Sequence, residues 1–181
     1  MNRLRQKYQE EVRPALQKEQ GYTNVHQIPR IEKIVINAGV GRAAADSKHL
    51  DAVTNTITKV TGQAPVATVA KNSIAGFKLR EGMKIGVMVT LRGERMYGFL
   101  DRLVSVVFPR IRDFRGLSVK AFDHQGNYSV GLDEQSVFPE LSFEETTTRH
   151  GLQVNIVTTA TSPEESKRLL EMMGFPFRRS S

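Results

Sequence analysis

The sequence predicts an α+β sandwich, in which helices cover one face of an antiparallel sheet and leave the other face open. The predicted elements follow the order helix, strand, helix, strand, strand, helix, strand, strand, helix, so helices separate hairpin-like pairs of strands. Within the strands apolar and polar residues alternate, which is typical of strands that bury one side only. The 181 residues, 39% of them hydrophobic, can bury one sizeable core, so we expect a single domain over residues 1–181.

The N-terminal segment, residues 1–30, is predicted to be helical up to a turn near Gly21. Pro14 can kink this helix or start a second helical piece. A strand over residues 31–38 follows the segment. The apolar face of the helix consists of Leu4, Tyr8, Val12, Ala15 and Leu16.

The second predicted helix is capped by Asp46 or Ser47 and ends at Gly62. A short strand over residues 64–70 then leads into a loop that is rich in Lys and Arg. The apolar stripe of the helix consists of Leu50, Val53, Ile57 and Val60.

The strand alternation is clearest in residues 84–92, where every second residue is apolar. An amphipathic helix follows this strand, and we expect Pro109 to stop it. Its apolar positions are Met96, Phe99, Leu100, Leu103, Val104 and Val107.

Two strands and one helix complete the predicted order. The strands cover residues 127–132 and 152–159, and both show the period-two alternation. The final helix opens with the capping box Ser162-Pro163-Glu164-Glu165 and closes at Gly174.

The composition indicates an anionic partner. Twenty-six Lys and Arg against nineteen Asp and Glu give a formal net charge of +7, which attracts nucleic acid or an anionic membrane alike. The absence of cysteine excludes disulfides, thiolate catalysis and Cys-ligated zinc. No apolar run reaches the roughly 20 residues of a spanning helix, so we expect an intracellular protein without a membrane partner.

A basic loop, residues 71–83, is predicted to protrude between two strands. No acidic residue occurs between Asp51 and Glu81, whereas Lys71, Lys78 and Arg80 lie close together. Cations spread along a glycine-flanked loop can each meet a different phosphate of a polyanion. The loop therefore predicts a nucleic-acid surface.

The open face of the sheet is predicted to be polar and sparsely charged. Solvent alone explains such a face as well as a ligand does. Donor-rich side chains at Asn37, Gln63, Thr90 and Arg92 favour contact with ribose hydroxyls and base edges in a shallow RNA minor groove. Stacking aromatic residues are missing, which favours structured RNA over a single strand. The predicted face consists of Lys33, Asn37, Thr90, Arg92, Asn127, Ser129, Gln153, Asn155 and Thr159.

A dinucleotide-binding enzyme is the alternative. Gly39 and Gly41 follow a strand and precede a helix, which imitates the G-x-G-x-x-G/A pattern. No acidic residue follows about 20 residues later to hold a ribose, so sharp exit from the strand explains these glycines better. The four histidines are scattered, and no serine lies in a G-x-S-x-G elbow. We therefore expect no enzyme, cofactor or metal site.

Two further charged segments lie in the second half of the chain. Arg110, Arg112 and Arg115 form a basic cluster, in which local ion pairs with Asp113 and Asp123 are expected. An acidic segment, residues 133–148, contains no Lys or Arg and is either a solvated loop or a contact for a cationic protein. Its acids are Asp133, Glu134, Glu140, Glu144 and Glu145.

Six motifs in order along the chain resemble the family of large-subunit ribosomal protein number five, the 5S rRNA binder. The match spans essentially the whole sequence, and residues 173–177 are similar to the bacterial form. Asn72 departs from the family, which has a second basic residue after Lys71. The motifs are residues 33–41, 73–82, 89–93, 108–116, 126–129 and 156–160.

The resemblance implies a ferredoxin-like, RRM-like sandwich and a structural, non-enzymatic role in the central protuberance of the cytoplasmic large ribosomal subunit. The implied partners are 5S rRNA, large-subunit rRNA, P-site tRNA and a small-subunit head protein. For 5S rRNA the implied residues are Lys33, Asn37, Gln63, Thr90 and Arg92. For the tRNA they are Lys71, Ser73, Phe77, Lys78 and Arg80. For the intersubunit bridge they are Arg110, Arg112, Glu134, Glu144 and Glu145.

Overall fold

The computed structural model describes residues 2–41 and 47–178. Within these residues, five strands form one open antiparallel sheet in the order β2-β3-β1-β5-β4. The predicted α+β class is confirmed. The strands are β1 (Ile31–Gly39), β2 (Val66–Val69), β3 (Lys84–Leu91), β4 (Tyr128–Leu132) and β5 (Leu152–Thr158).

The strand order is ferredoxin-like. β3 lies between β1 and β2, and β1 lies between β3 and β5. Helical connections join β1 to β2 and β3 to β4, and a segment with two 3₁₀ turns joins β4 to β5. Without β4, the order of the other four strands is that of two interleaved split β-α-β units. β4 adds a fifth strand beside β5 at one edge.

Helical segments connect these strands. The α-helices are α1 (Arg3–Lys7), α2 (Arg13–Gln20), α3 (Ser47–Thr61), α4 (Gly93–Arg102), α5 (Phe108–Arg110) and α6 (Pro163–Met172). Single π-helical turns, Tyr8–Val12 and Leu103–Val107, join α1 to α2 and α4 to α5. Short 3₁₀ turns cover Val25–Gln27, Ala75–Phe77, Val119–Ala121, Gln135–Val137 and Glu144–Thr146.

Pro109 does not stop the helix, and that expectation was wrong. After the π-helical turn the chain continues into α5, and Pro109 lies in the first turn of this segment. Val107, directly before α5, is itself helical, so Pro109 lies within a helical path that contains the π-helical turn and not at a free N-terminus. The helical path ends at Ile111, which is extended.

Both ends of α6, and the end of α3 at Gly62, behave as the sequence predicts. Ser162 caps α6 by accepting a hydrogen bond from Glu165 N at 3.3 Å. Gly174 follows α6 with a φ of 100°, the left-handed region that glycine adopts without strain. The predicted caps of α3 cannot be compared in this way, since Asp46 and the Ser47 side chain lie outside the described residues.

One row of side chains on the sheet is buried almost completely. The predicted alternation is confirmed on β1, β3 and β5, where the central buried residues are at most 3% exposed. On β4, at the edge of the sheet, Val130 is half-exposed, although the predicted alternation over residues 127–132 places it on the same side as the buried Tyr128 and Leu132. The buried row consists of Ile34, Ile36, Val87, Val89, Leu91, Val154 and Ile156.

The chain forms two compact units. The first comprises the chain up to Ile34, Arg92–Val130 and the chain from Asn155 onward. The second comprises Val35–Leu91 and Gly131–Val154. The single domain over residues 1–181 therefore stays a prediction.

The first unit is organised by aromatic side chains. Phe108 stacks on Phe114 with ring centroids 5.8 Å apart. Phe175 meets Phe108 edge-on at 5.8 Å, and Tyr128 meets Phe177 edge-on at 5.4 Å. Offset and edge-on pairs of this kind add about 0.5–1.5 kcal/mol each beyond area burial.

The second unit is built on α3, β2 and β3. The predicted stripe of α3 is confirmed, since its four apolar residues are at most 8% exposed. On β2 and β3, Val66 pairs with Met88 and Thr68 pairs with Gly86. A Cβ atom at Gly86 would lie 2.7 Å from Thr68 Oγ1 and 3.1 Å from Ala38 O, so any larger residue would force these neighbours to shift.

Gly86→Ala is expected to lower the free energy of unfolding by about 1–3 kcal/mol, because the added methyl group overpacks the strand crossing. Gly131→Ala is the matched control, since a Cβ atom at this strand glycine would contact nothing within 4 Å. Urea titration followed by circular dichroism measures both variants. Equal stability of the two variants would contradict the close approach of Gly86 to its neighbours. If adding Thr68→Ala restored the stability of Gly86→Ala, the clash would be located at the Thr68 side chain.

Candidate nucleic-acid interface

The open face of the sheet includes the outward-facing residues of β1 and β3. On β1 the half-exposed residues Lys33, Val35 and Asn37 alternate with buried ones. On β3 Met88 is exposed and Thr90 is half-exposed. Our polar description of this face omitted Val35 and Met88, although the period-two alternation itself places them there.

Asn37, Gln63 and Thr90 lie in the second unit. Gln63 follows the left-handed Gly62 at the end of α3, and its Nε2 donates to the carbonyl of Thr90 at 3.1 Å. The structure therefore brings Gln63 to β3, where the amide fixes the position of this part of the strand. Asn37 lies on β1 and Thr90 lies on β3, and these two strands are neighbours in the sheet.

Lys33 and Arg92 belong to the first unit. Arg92 Nη1 lies 3.4 Å from Glu32 Oε1, and both side chains are exposed. Such a pair contributes little and exchanges readily for another anion. In the described part of the chain Lys33 has no ion-pair partner. Both cations are therefore able to meet phosphate.

Polar residues of β4, β5 and the segments beside them are already hydrogen-bonded within the first unit. Ser129 Oγ donates to Asn155 Oδ1 at 2.8 Å. Asn127 Oδ1 accepts from Thr158 N at 3.2 Å, and Arg30 N donates to Thr159 Oγ1 at 3.0 Å. These side chains serve the fold first, which makes them weaker candidates for RNA contact than Asn37.

The basic loop has a hairpin structure of its own. Ile74 and Leu79 exchange two backbone hydrogen bonds of 3.0 and 3.1 Å around a 3₁₀ turn. Lys78 adopts a φ of 54°, and Ser73 Oγ accepts from Glu81 N at 2.9 Å. These bonds hold the loop in one conformation, so its side chains project from an ordered support.

The side chains of the basic loop face solvent. Phe77 is 73% exposed, which is unusual for a phenylalanine and suits a stacking surface. Lys71, Lys78 and Arg80 are exposed, and across residues 2–41 and 47–178 none of them has an ion-pair partner. The predicted loop residues are thus brought together on one short hairpin.

A basic turn, residues 110–117, is held by the C-terminal segment of the first unit. Leu117 N donates to Pro176 O at 2.8 Å, and Arg178 N donates to Leu117 O at 2.9 Å. This places Arg178 beside Gly116 and Leu117 of the basic turn, an addition that sequence reasoning missed because no short-range pattern links the two segments. The exposed cations of the surface are Arg110, Arg112, Arg115 and Arg178.

The ion pairs that we expected in the basic turn do not form in the described residues. Asp123 instead accepts from Asn127 N at 2.7 Å and from Gln125 N at 3.0 Å. Burial raises the pKa of Asp123, but these hydrogen bonds outweigh it and lower the pKa overall. The cations of the turn are left available for an external anion.

The acidic segment is partly neutralised inside the second unit. Glu145 is paired with Lys59 of α3, and Glu134 pairs with Arg149 at 3.0 Å. The hydrogen bond from Lys59, with further bonds from Ser142, lowers the pKa of Glu145 to about 2. Glu144 is exposed and has no such pair among the described residues.

A cleft of about 610 Å³ lies beside Gly39 and Gly41 in the second unit. Its lining includes Asp133, the ion pair of Glu134 with Arg149, and the side chains of His49 and His150. The rest of the glycine-containing turn, residues 42–46, lies outside the described residues.

Two other kinds of site are absent from the described residues. No group of three or more His, Asp or Glu residues there could hold a metal ion. No helix there is both long enough and apolar enough to cross a bilayer.

Comparison with known families yields two matches. The model described as ribosomal protein L5 matches residues 24–80. The model described as the C-terminus of the same ribosomal protein family matches residues 84–177, which is more than half of the chain.

Glu145 is expected to titrate with a midpoint of about 2 in the folded protein, below its ordinary value of 4.5. A lowered carboxyl pKa stabilises the fold fully above pH 4.5, and this contribution is lost as the pH falls through about 2. Lys59→Met should move the midpoint toward 4.5. Carboxyl-carbon NMR titration measures both proteins, and a wild-type midpoint near the ordinary value would contradict the link to α3.

Proposed function

Because the chain belongs to the ribosomal protein L5 family, we propose that it attaches 5S rRNA to the central protuberance through the open face of its sheet. Proteins of this family are structural, RNA-binding parts of the large ribosomal subunit in the cytoplasm and are not enzymes. The dinucleotide-binding enzyme is therefore rejected as an alternative.

The observation that carries the proposal is the position of Asn37 and Thr90 on neighbouring strands. Both side chains are half-exposed on the outward row, while the residues next to them in sequence are buried. Their amide and hydroxyl groups can donate to ribose oxygens and base edges across a shallow minor groove. Gln63 supports this arrangement through its hydrogen bond to the Thr90 carbonyl.

Lys33 and Arg92 supply the electrostatic part of RNA attachment. Lys33 lies on β1 together with Asn37. Arg92 directly follows β3, the strand that carries Thr90. Phosphate contacts of this kind fix the orientation of RNA and make its affinity depend on salt. Contact between Arg92 and phosphate replaces only the exposed pair with Glu32.

The basic loop is proposed to contact P-site tRNA. Lys71, Lys78 and Arg80 are exposed cations on an ordered hairpin, and Phe77 offers a ring for stacking. Because Ser73 already accepts from Glu81 N, its role in this contact is to shape the loop. A loop of this kind is suited to reach an RNA other than the one on the sheet.

The bridge to a small-subunit head protein is proposed for two surfaces. In the first unit, the basic turn presents Arg110 and Arg112. In the second unit, the acidic segment presents Glu144 directly, while Glu134 and Glu145 are engaged in internal pairs. Charge of both signs suits a protein partner, since a segment of five acids repels RNA.

Lys71→Gln, Lys78→Gln and Arg80→Gln together are expected to loosen tRNA in the P site and leave 5S rRNA binding nearly unchanged. The loop cations act on tRNA only once assembly brings its phosphates within about 8 Å, the screening length at physiological salt. Footprinting of the tRNA elbow on mutant and wild-type ribosomes is the measurement, with 5S rRNA filter binding as its companion.

The matched control removes three exposed cations elsewhere, Arg13→Gln, Lys18→Gln and Lys120→Gln. This variant has the same net charge as the loop variant, so it reports any general effect of lost charge on RNA. Unchanged protection of the tRNA elbow with weakened 5S rRNA binding would show that the loop serves the other RNA.

A further inference from the structure

Phe143 is the most exposed large apolar side chain in the described residues. It is 91% exposed, compared with 73% for Phe77. A single exposed apolar residue needs no explanation by itself. For Phe143, the hydrogen-bonded turn that carries it and the charged residues around it indicate which kind of partner it contacts.

The backbone around Phe143 is held in place by hydrogen bonds. Ser142 N and Oγ both donate to Glu145 Oε2 at 3.0 Å. The carbonyl of Phe143 accepts from Thr146 Oγ1 at 2.8 Å and from Thr146 N at 3.2 Å. The ring therefore projects from a fixed turn, which lowers the entropy cost of using it in binding.

Glu145 ties this turn to the long helix of the same unit. Its second oxygen, Oε1, accepts a hydrogen bond from Lys59 of α3. The carboxylate thus holds the turn from both sides and is not directed at a partner. Glu144, the neighbour of Phe143 in sequence, is exposed and keeps its charge for an external contact.

The charge around Phe143 favours a protein over RNA. The acidic segment carries five carboxylates and no Lys or Arg. Lys59 and Arg149 are paired with Glu145 and Glu134, whereas Glu144 has no such pair among the described residues. Uncompensated negative charge repels phosphates and attracts a cationic protein surface. Phe77 has the opposite surroundings, since it lies among three cations.

We propose that Phe143 is the aromatic anchor of the acidic segment and fills an apolar pocket on a cationic protein, with Glu144 as the adjacent charged contact. Glu145 is a positioning residue that fixes the turn. Buried aromatic anchors next to charged neighbours carry a large share of the energy of such interfaces. The inference rests on the proposed bridge, and it names the residue on which that contact depends.

A photo-reactive benzoylphenylalanine at position 143 identifies the partner class in assembled ribosomes. The expected result is a crosslink to a basic protein of the small subunit. A crosslink to ribosomal RNA alone would overturn the proposal, because it would place the ring in a nucleic-acid contact.

Phe143→Ala in the large subunit is expected to weaken association with small subunits by roughly fivefold to tenfold in light-scattering titrations. Phe143→Tyr should restore association to within about twofold, since the ring is kept. Val25→Ala, which truncates an exposed apolar residue in another 3₁₀ turn, is the control that should behave as wild type.

Glu144→Lys separates failure of the anchor from failure of the bridge. If Glu144→Lys weakened association while Phe143→Ala associated like the wild type, the proposed anchor would be rejected and the proposed bridge would stand. If both variants associated like the wild type, the proposed bridge through the acidic segment would be rejected, and the proposed anchor with it. Glu145→Gln should weaken association less than Phe143→Ala, because it loosens the turn without removing the ring.

Discussion

Burial of one row of side chains is the constraint on which the rest of the molecule depends. Residues such as Ile34, Val89 and Ile156 are at most 3% exposed, and each is followed along its strand by a residue that points to the other side. A strand cannot slip by one residue without exposing this row. The register therefore sets which side chains form the open face, and Gly86 allows the close strand approach that this register requires.

Cations in this protein divide into those that serve the fold and those that are available for ligands. Lys59, Arg149 and Arg168 pair with carboxylates within their own units. The cations of the basic loop and the basic turn have no such partners in the described residues. The net charge of +7 therefore acts on ligands through a few exposed segments, while the acidic segment keeps phosphate away from its own surface.

Sequence patterns predicted the fold well because periodicity reports burial directly. The order of elements, the α3 stripe and the α6 cap all follow from local spacing and local hydrogen bonds. Pro109 was misread because its tolerance depends on a π-helical turn that no simple pattern shows. Arg178 and the Lys59–Glu145 pair escaped prediction because tertiary packing brings distant segments together.

Affinity for 5S rRNA over a range of salt concentrations tests the account most directly, with the wild type, Asn37→Ala and Arg92→Gln compared. Asn37→Ala should lose about 1–3 kcal/mol of binding with an unchanged salt slope, because a neutral contact is removed. Arg92→Gln should reduce the slope by about one, as expected for one lost phosphate contact. Wild-type affinity in Asn37→Ala, or equal wild-type binding to an unrelated structured RNA, would contradict attachment through the open face.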